Sequence, residues 1–385
     1  RRVDLEAGDV RGTDACCIDF LQTHIELSDQ PTYQMFTGFR GSGKSTELKM
    51  LAKKLRDKNY CVIYVDTETY LNLHVPAQVS DLLISMAAGV DSYLENEVYG
   101  AGENQIRRFW DRLYNFLNSE VNLDHVRTGI PNMGELQASL KKNAGFKQAL
   151  DEALQQQGRI SELAQKCLEF FDEALAVINR RNSGCEGVVL IMDSFEKLRG
   201  DMRNAQEVRE SAEHVFIRDA DFLRLPFNVI YTVPPWMAFV EFGASTEFDR
   251  PHTLPMCKVH EGNNSREEYE DGIKAMLGLL DKRLQREELF ATSRQLRELI
   301  KASGGYPRDL LRMVRELLVR MRLRQVPLPA SDEDVAPLVS AVIEETANLY
   351  DQAITDESLD LLKRIATQQD LHQHSREEIH RLADL

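Results

Sequence analysis

Short, nearly continuous apolar runs alternate along this chain with stretches of helical periodicity. Residues 33–37, 60–65, 188–192 and 228–232 read as strands, and 254–259 as a weaker fifth. Runs without polar alternation suit strands buried on both faces of a parallel sheet. Residues 45–57 place Leu48, Leu51, Ala52 and Leu55 on one helical face. Further helices are predicted at about 16–26 and 205–223. From about 77 to 182 the period is helical throughout, so a large helical insertion parts the second strand from the third. After residue 261 all is helical, with helices expected at 265–284, 292–302, 307–324, 331–350, 356–368 and 374–384. Five strands separated by helices predict an α/β fold around one parallel sheet.

Length and charge refine this division. At about 100–200 residues per domain, 385 residues allow two to three. An apolar fraction of 43% with 28% charged residues excludes wholesale disorder. The net charge of −15 argues against a general coat for nucleic acid. It is unevenly spread: 282–324 carries 12 basic and 5 acidic residues, and 331–385 carries 4 and 13. With Pro327 and Pro329, that reversal marks a boundary near 326–330. The expected segments are 1–30, an N-terminal stretch; 31–260, a core with the insertion; 261–326, a helical lid; and 327–385, an acidic helical end. The six cysteines form no CxxC pair and no zinc-like cluster, and no apolar run nears the ~20 residues of a membrane span. Reduced thiols in a cytoplasmic protein without membrane contact are the expectation.

Gly38-Phe39-Arg40-Gly41-Ser42-Gly43-Lys44-Ser45 fits G-x-x-x-x-G-K-[ST] between a strand and an amphipathic helix. The glycines let the backbone curl so that its N–H groups face a phosphate. Lys44 brings a point charge to the β- and γ-phosphates, and Ser45 a hydroxyl for Mg²⁺. The helix N-terminus adds its dipole. Gly38, Arg40, Gly41, Ser42, Gly43, Lys44, Ser45 and Thr46 are therefore the candidate nucleotide-binding residues, and ATP with Mg²⁺ the expected cofactors.

A phosphate loop also needs a carboxylate at a neighbouring strand end. Asp193, closing the 188–192 run, is the candidate partner of Ser45 at the metal. Glu196, three residues on, is the candidate for activating water; its plainer reading is a solvated acid or helix-start charge. Asp66 ends another strand and either reaches the cleft or caps the next element. Thr232 ends the strand expected between the loop strand and the Asp193 strand. It points either at the γ-phosphate or to a local hydrogen bond. In Ser303-Gly304-Gly305-Tyr306-Pro307-Arg308-Asp309, Gly304-Gly305 ends one helix and Pro307 starts the next. Arg308 in that first turn opposes the helix dipole, which suggests an anionic partner.

No N-K-x-D is present for a guanine base, and Ala302-Ser303-Gly304-Gly305 follows Asp193 rather than preceding it as a transporter signature would. The order of phosphate loop, Asp193-x-x-Glu196, polar strand end and Gly-Gly-x-Pro-Arg resembles the AAA+ superfamily and its STAND and origin-recognition-like members. The resemblance covers about 31–325. It implies a P-loop NTPase sheet in the order 5-1-4-3-2, a sensor-1 role at Thr232 and a sensor-2 role at Arg308. Two features depart from it: the acid stands three residues after Asp193 rather than adjacent, and the insertion is long. Such ATPases act as oligomers completed by an arginine from a neighbour, for which Arg250 and Arg218 are candidates.

Three functions follow as expectations. The first is a Mg-dependent ATP hydrolase acting as a conformational switch or oligomeric remodeller. By resemblance it belongs to a bacterial antiviral-defence or signalling system with a separate effector protein. The second is a nucleic-acid-loading or sensing ATPase using the basic stretch 282–324, against which stands a basic lid facing the chain's own acidic tail. The third is a nucleotide-binding scaffold without turnover.

Overall fold

The computed structural model describes residues 17–99, 141, 144–154, 159–200, 203–240, 248, 250–261, 267–352, 354–368 and 378. The helix expected at 374–384 and the middle of the insertion lie outside these, apart from single positions. Five strands form one sheet: β1 (Tyr33–Thr37), β2 (Tyr60–Asp66), β3 (Gly187–Asp193), β4 (Asn228–Thr232) and β5 (His252–Thr253). Every pairing is parallel, in the order β2-β3-β4-β1-β5. Read from the other edge, this is 5-1-4-3-2. β4 lies between β1 and β3, as the sequence predicted.

Alternate residues of each strand feed two different cores, which is why the runs are apolar throughout. Val62, Val189, Ile191 and Ile230 pack with α1 (Cys17–Leu27) and α2 (Lys44–Asp57) on one face. Cys61, Ile63, Val188, Leu190, Met192, Val229 and Tyr231 face the other side. There they meet α4 (Val79–Tyr93) and α6 (Arg159–Arg181), after the short α3 (Thr67–Tyr70); α5 (Ala144–Leu154) lies between α4 and α6 in the chain. Lys147 of α5 ties to α4 through Asp81, 2.6 Å away, and to Asp151 at 3.1 Å. The predicted helix 205–223 divides into α7 (Ala205–Glu213), a π-helical turn (His214–Arg218) and a 3₁₀ turn (Ala220–Leu223).

The fifth strand differs from its prediction. It is two residues long and precedes the apolar run at 254–259, which leaves the sheet. Pro255 has no N–H for a ladder. Cys257 instead donates to Gly305 O at 3.3 Å, and Val259 O accepts from Tyr269 N at 3.0 Å. Cys257 and Val259 are buried in the lid's core rather than the sheet's.

That core is built by α8 (Glu270–Asp281), α9 (Arg286–Leu289), α10 (Arg294–Ala302), α11 (Pro307–Leu323) and α12 (Asp332–Asp351), with α13 (Asp356–Gln368) after them. It runs from Cys257 to Val342, and Val335, Leu338, Val339 and Val342 of α12 share it. Ala330 N donates to Leu289 O and Ala330 O accepts from Ala291 N, at 3.0 and 2.9 Å. The charge reversal near 326–330 thus falls inside one packed unit. No described helix is long and apolar enough to cross a membrane.

Candidate functional site

Parallel strands bring all their carboxyl ends to one edge, where open α/β sheets place ligands. Asp66 is in register with Asp193, and Phe36 with Thr232. The loop after β1 curls as its glycines permit. Gly38, Gly41 and Gly43 have φ of +152°, +97° and +104°, all in the region that disfavours a side chain. At Gly41 space is excluded too: a Cβ would stand 2.7 Å from the Tyr306 ring and 2.9 Å from Arg308 Nε. Gly43 starts α2, accepting from Thr46 N and Glu47 N at 2.9 and 3.0 Å.

Lys44 folds back over this loop. Its ammonium donates to Gly38 O at 2.7 Å and Phe39 O at 3.0 Å, and lies 3.4 Å from Glu196 Oε1. Both side chains are almost inaccessible, at 3% and 6% exposure. Burial pulls the Lys44 ammonium below its usual value, and the charges of Glu196 and then Asp193 act against it. The nearby Arg308 guanidinium lowers it further. The structure therefore brings Lys44, Glu196, Asp193 and Arg308 into one electrostatic neighbourhood.

Asp193 is buried, and both its oxygens are engaged. Oδ2 accepts from Tyr64 OH at 2.6 Å and Oδ1 from Ser194 N at 2.8 Å. Tyr64 holds its proton firmly: burial first, then the Asp193 charge, pushes its phenol well up. Ser194 has φ +76°, an uncommon value for a residue with a side chain. That sharp turn after β3 lets Glu196, only three residues on, reach Lys44.

Of the two readings of Thr232, the structure shows the local hydrogen bond. The residue is fully buried, its hydroxyl donating to Met192 O at 3.1 Å and accepting from Phe195 N at 3.0 Å. It braces the turn that carries Glu196. Asp66 is a cap, accepting from Glu68 N at 3.1 Å to start α3. Ser45 is half-buried, Thr46 and Arg40 are exposed on or beside the loop, and Arg308 is exposed at the start of α11. Arg218 sits beside Asp219 at the π-helical turn and Arg250 just before β5; both are exposed.

Two residues here were not singled out from the sequence. Tyr306 donates through its hydroxyl to Arg40 O, docking the lid on the phosphate loop. Its signal was its place inside Gly-Gly-x-Pro-Arg. Tyr64 sits within an apolar run and reads there as core; only the pairing of β2 with β3 shows its partner.

The residues fit a nucleotide with its metal on two grounds. The loop's curl, with its left-handed glycines, admits no side chain at Gly38 or Gly41, where a Cβ would strike Leu254 or the lid's Tyr306 and Arg308. Two buried polar atoms beside it, Ser42 Oγ and Glu196 Oε2, have no hydrogen-bond partner, and such groups ordinarily have one. Comparison with known proteins returned no matching family model and no matching curated protein.

Proposed function

We propose that the chain is a Mg-dependent ATPase of the P-loop, AAA+-like type, acting as a nucleotide-driven conformational switch or oligomeric remodeller. One observation carries the reading. A glycine cradle with three positive-φ positions presents a helix N-terminus, and the lysine following it faces a buried carboxylate across the neighbouring strand.

In this reading the loop N–H groups and Lys44 hold the β- and γ-phosphates. Ser45 and Asp193 would hold the metal, which would supply positive charge to the phosphate oxygens. Tyr64 and Ser194 N keep the Asp193 carboxylate in one orientation. Phosphates that draw Lys44 forward release Glu196 from its ion pair, free to accept a proton from water. Arg308 adds charge from the lid, and Tyr306 couples lid position to the loop. An arginine from a second copy, Arg218 or Arg250, would complete the site. A separate effector protein in a defence or signalling system is the proposed recipient of the switch.

The test is phosphate release by the wild type and by Glu196→Gln, with solution mass measured with and without a non-hydrolysable ATP analogue. Expected are turnover lost in Glu196→Gln with ATP binding retained, and an ATP-dependent gain in mass. No turnover in the wild type, even as an assembly, reduces the chain to a nucleotide-binding scaffold. No ATP binding overturns the reading.

A further inference from the structure

The lid carries a surplus of basic residues, only some of which are ion-paired. Arg286 lies 2.7 Å from Asp281, Lys301 2.8 Å from Glu298, and Arg297 bonds Glu268 and Glu270. Arg320 bonds Glu316 at 2.9 Å and also Glu345 of α12. At Arg320–Glu345 the acidic tail meets the basic lid, as the expectation of a lid facing its own tail had it.

Among those without a close carboxylate partner in the described residues, Arg283, Arg294 and Arg324 are scattered, whereas others lie along one line of α11. Arg308, Arg312, Arg315, Val319 and Arg322 are spaced by four, three, four and three residues, so they share one helical face. All five are exposed, while Leu310, Met313, Val314, Leu317 and Met321 are buried on the opposite side. Arg308, Arg315 and Arg322 have no carboxylate partner among the described residues, and the exposed Arg312 reaches only the buried Asp309, at 3.5 Å. At 1.5 Å per residue the line is about 21 Å long. Like charges at these spacings repel, so the row works against its own helix.

We infer that this arginine row binds the sugar–phosphate backbone of a nucleic acid, without reading its sequence. Guanidinium forks match phosphate oxygens, and a row of them matches a repeating polyanion. A protein partner fits less well, because protein interfaces have an apolar, aromatic core depleted of charge, and the only apolar member here is Val319. The row itself carries no aromatic side chain, and Tyr350 beside it is tied through its hydroxyl to Asp309, so recognition is through the backbone. Four guanidiniums predict a slope of log affinity against log salt of about −3 on a single strand and about −3.6 on a duplex. The rest of this acidic chain repels the polyanion, so binding is confined to this face and is weak at physiological salt.

Arg308 is shared with the proposed nucleotide site, so the test is made without nucleotide and changes only Arg315 and Arg322, which lie away from that site. Fluorescence anisotropy of a labelled 20-nucleotide oligothymidylate and a 20-base-pair duplex is followed over a salt series. The wild type is compared with Arg315→Glu/Arg322→Glu. The control is Lys274→Glu/Arg294→Glu, which changes net charge equally at exposed lid positions off the row. The expected result is saturable binding at low salt, at least tenfold weaker in the row variant with its salt slope reduced by about 2, and less than threefold weaker in the control. The inference is overturned by no saturable binding at low salt, or by equal losses in the two variants. It is equally overturned if labelled polyglutamate binds as tightly as the oligonucleotide and loses its binding in the same row variant, which would mark the partner as an acidic protein.

Discussion

Thr232→Val separates bracing of the turn that carries Glu196 from contact with phosphate. Valine matches threonine in shape, so no cavity opens at this fully buried position. What disappears is the hydroxyl and its two bonds, 3.0 Å from Phe195 N and 3.1 Å to Met192 O. A buried donor left unpaired costs about 1–3 kcal/mol. Phe195 N belongs to the turn that already holds Ser194 at φ +76°, so the cost falls on the segment that aims Glu196 at Lys44. A displacement of about 1 Å at a catalytic group lowers turnover by about a hundredfold. Phosphate release should therefore fall tenfold to a hundredfold with ATP affinity unchanged, and amide exchange at residues 194–197 should speed up. Thr232→Ser keeps both bonds and should retain most of the turnover. Weaker ATP binding in Thr232→Val at unchanged kcat would show the hydroxyl contacting phosphate, against the bracing role. Serine behaving like valine would show that the methyl, not the hydrogen bonds, matters.

Three further outcomes are expected. Gly41→Ala should weaken ATP binding at least tenfold, since alanine in the left-handed region costs about 1–2 kcal/mol and its Cβ meets Tyr306; Gly41→Ala/Tyr306→Ala, assayed by titration calorimetry, should recover only the steric part. Glu268 lies below the ordinary carboxylate value of 4.5, chiefly through its hydrogen bond from Arg297. Its stabilisation is present above pH 4.5 and lost as pH falls through the lowered folded value, so the urea midpoints of wild type and Arg297→Met should differ at pH 7 and converge near pH 3. Cys61 and Cys185 have sulfurs 2.8 Å apart as free thiols, although burial raises the Cys185 thiol to about 11 and slows attack. Prolonged hydrogen peroxide treatment should join them, two thiols and one peroxide giving one disulfide and two waters, as read by peptide mapping with Cys61→Ser as the control.

The chain's pattern alone determined a good deal. Four strands fell where their apolar runs lie, because strands buried on both faces leave no polar alternation to misread. The phosphate loop was legible because Gly41 and Gly43 have backbone angles that few other residues tolerate. The lid helices from 294 to 351 followed from periodicity and from Pro307. Tertiary structure decided the rest, through partners distant in sequence. The run at 254–259 looks like a strand, yet Cys257 and Val259 found better burial against the lid. Thr232 was open to two readings until β4 paired with β3 and put Met192 O and Phe195 N beside its hydroxyl. Tyr64 meets Asp193 only across a pairing 129 residues apart. Local sequence carries propensity and backbone angle, whereas a side chain's hydrogen-bond partner is set by which strands and helices become neighbours.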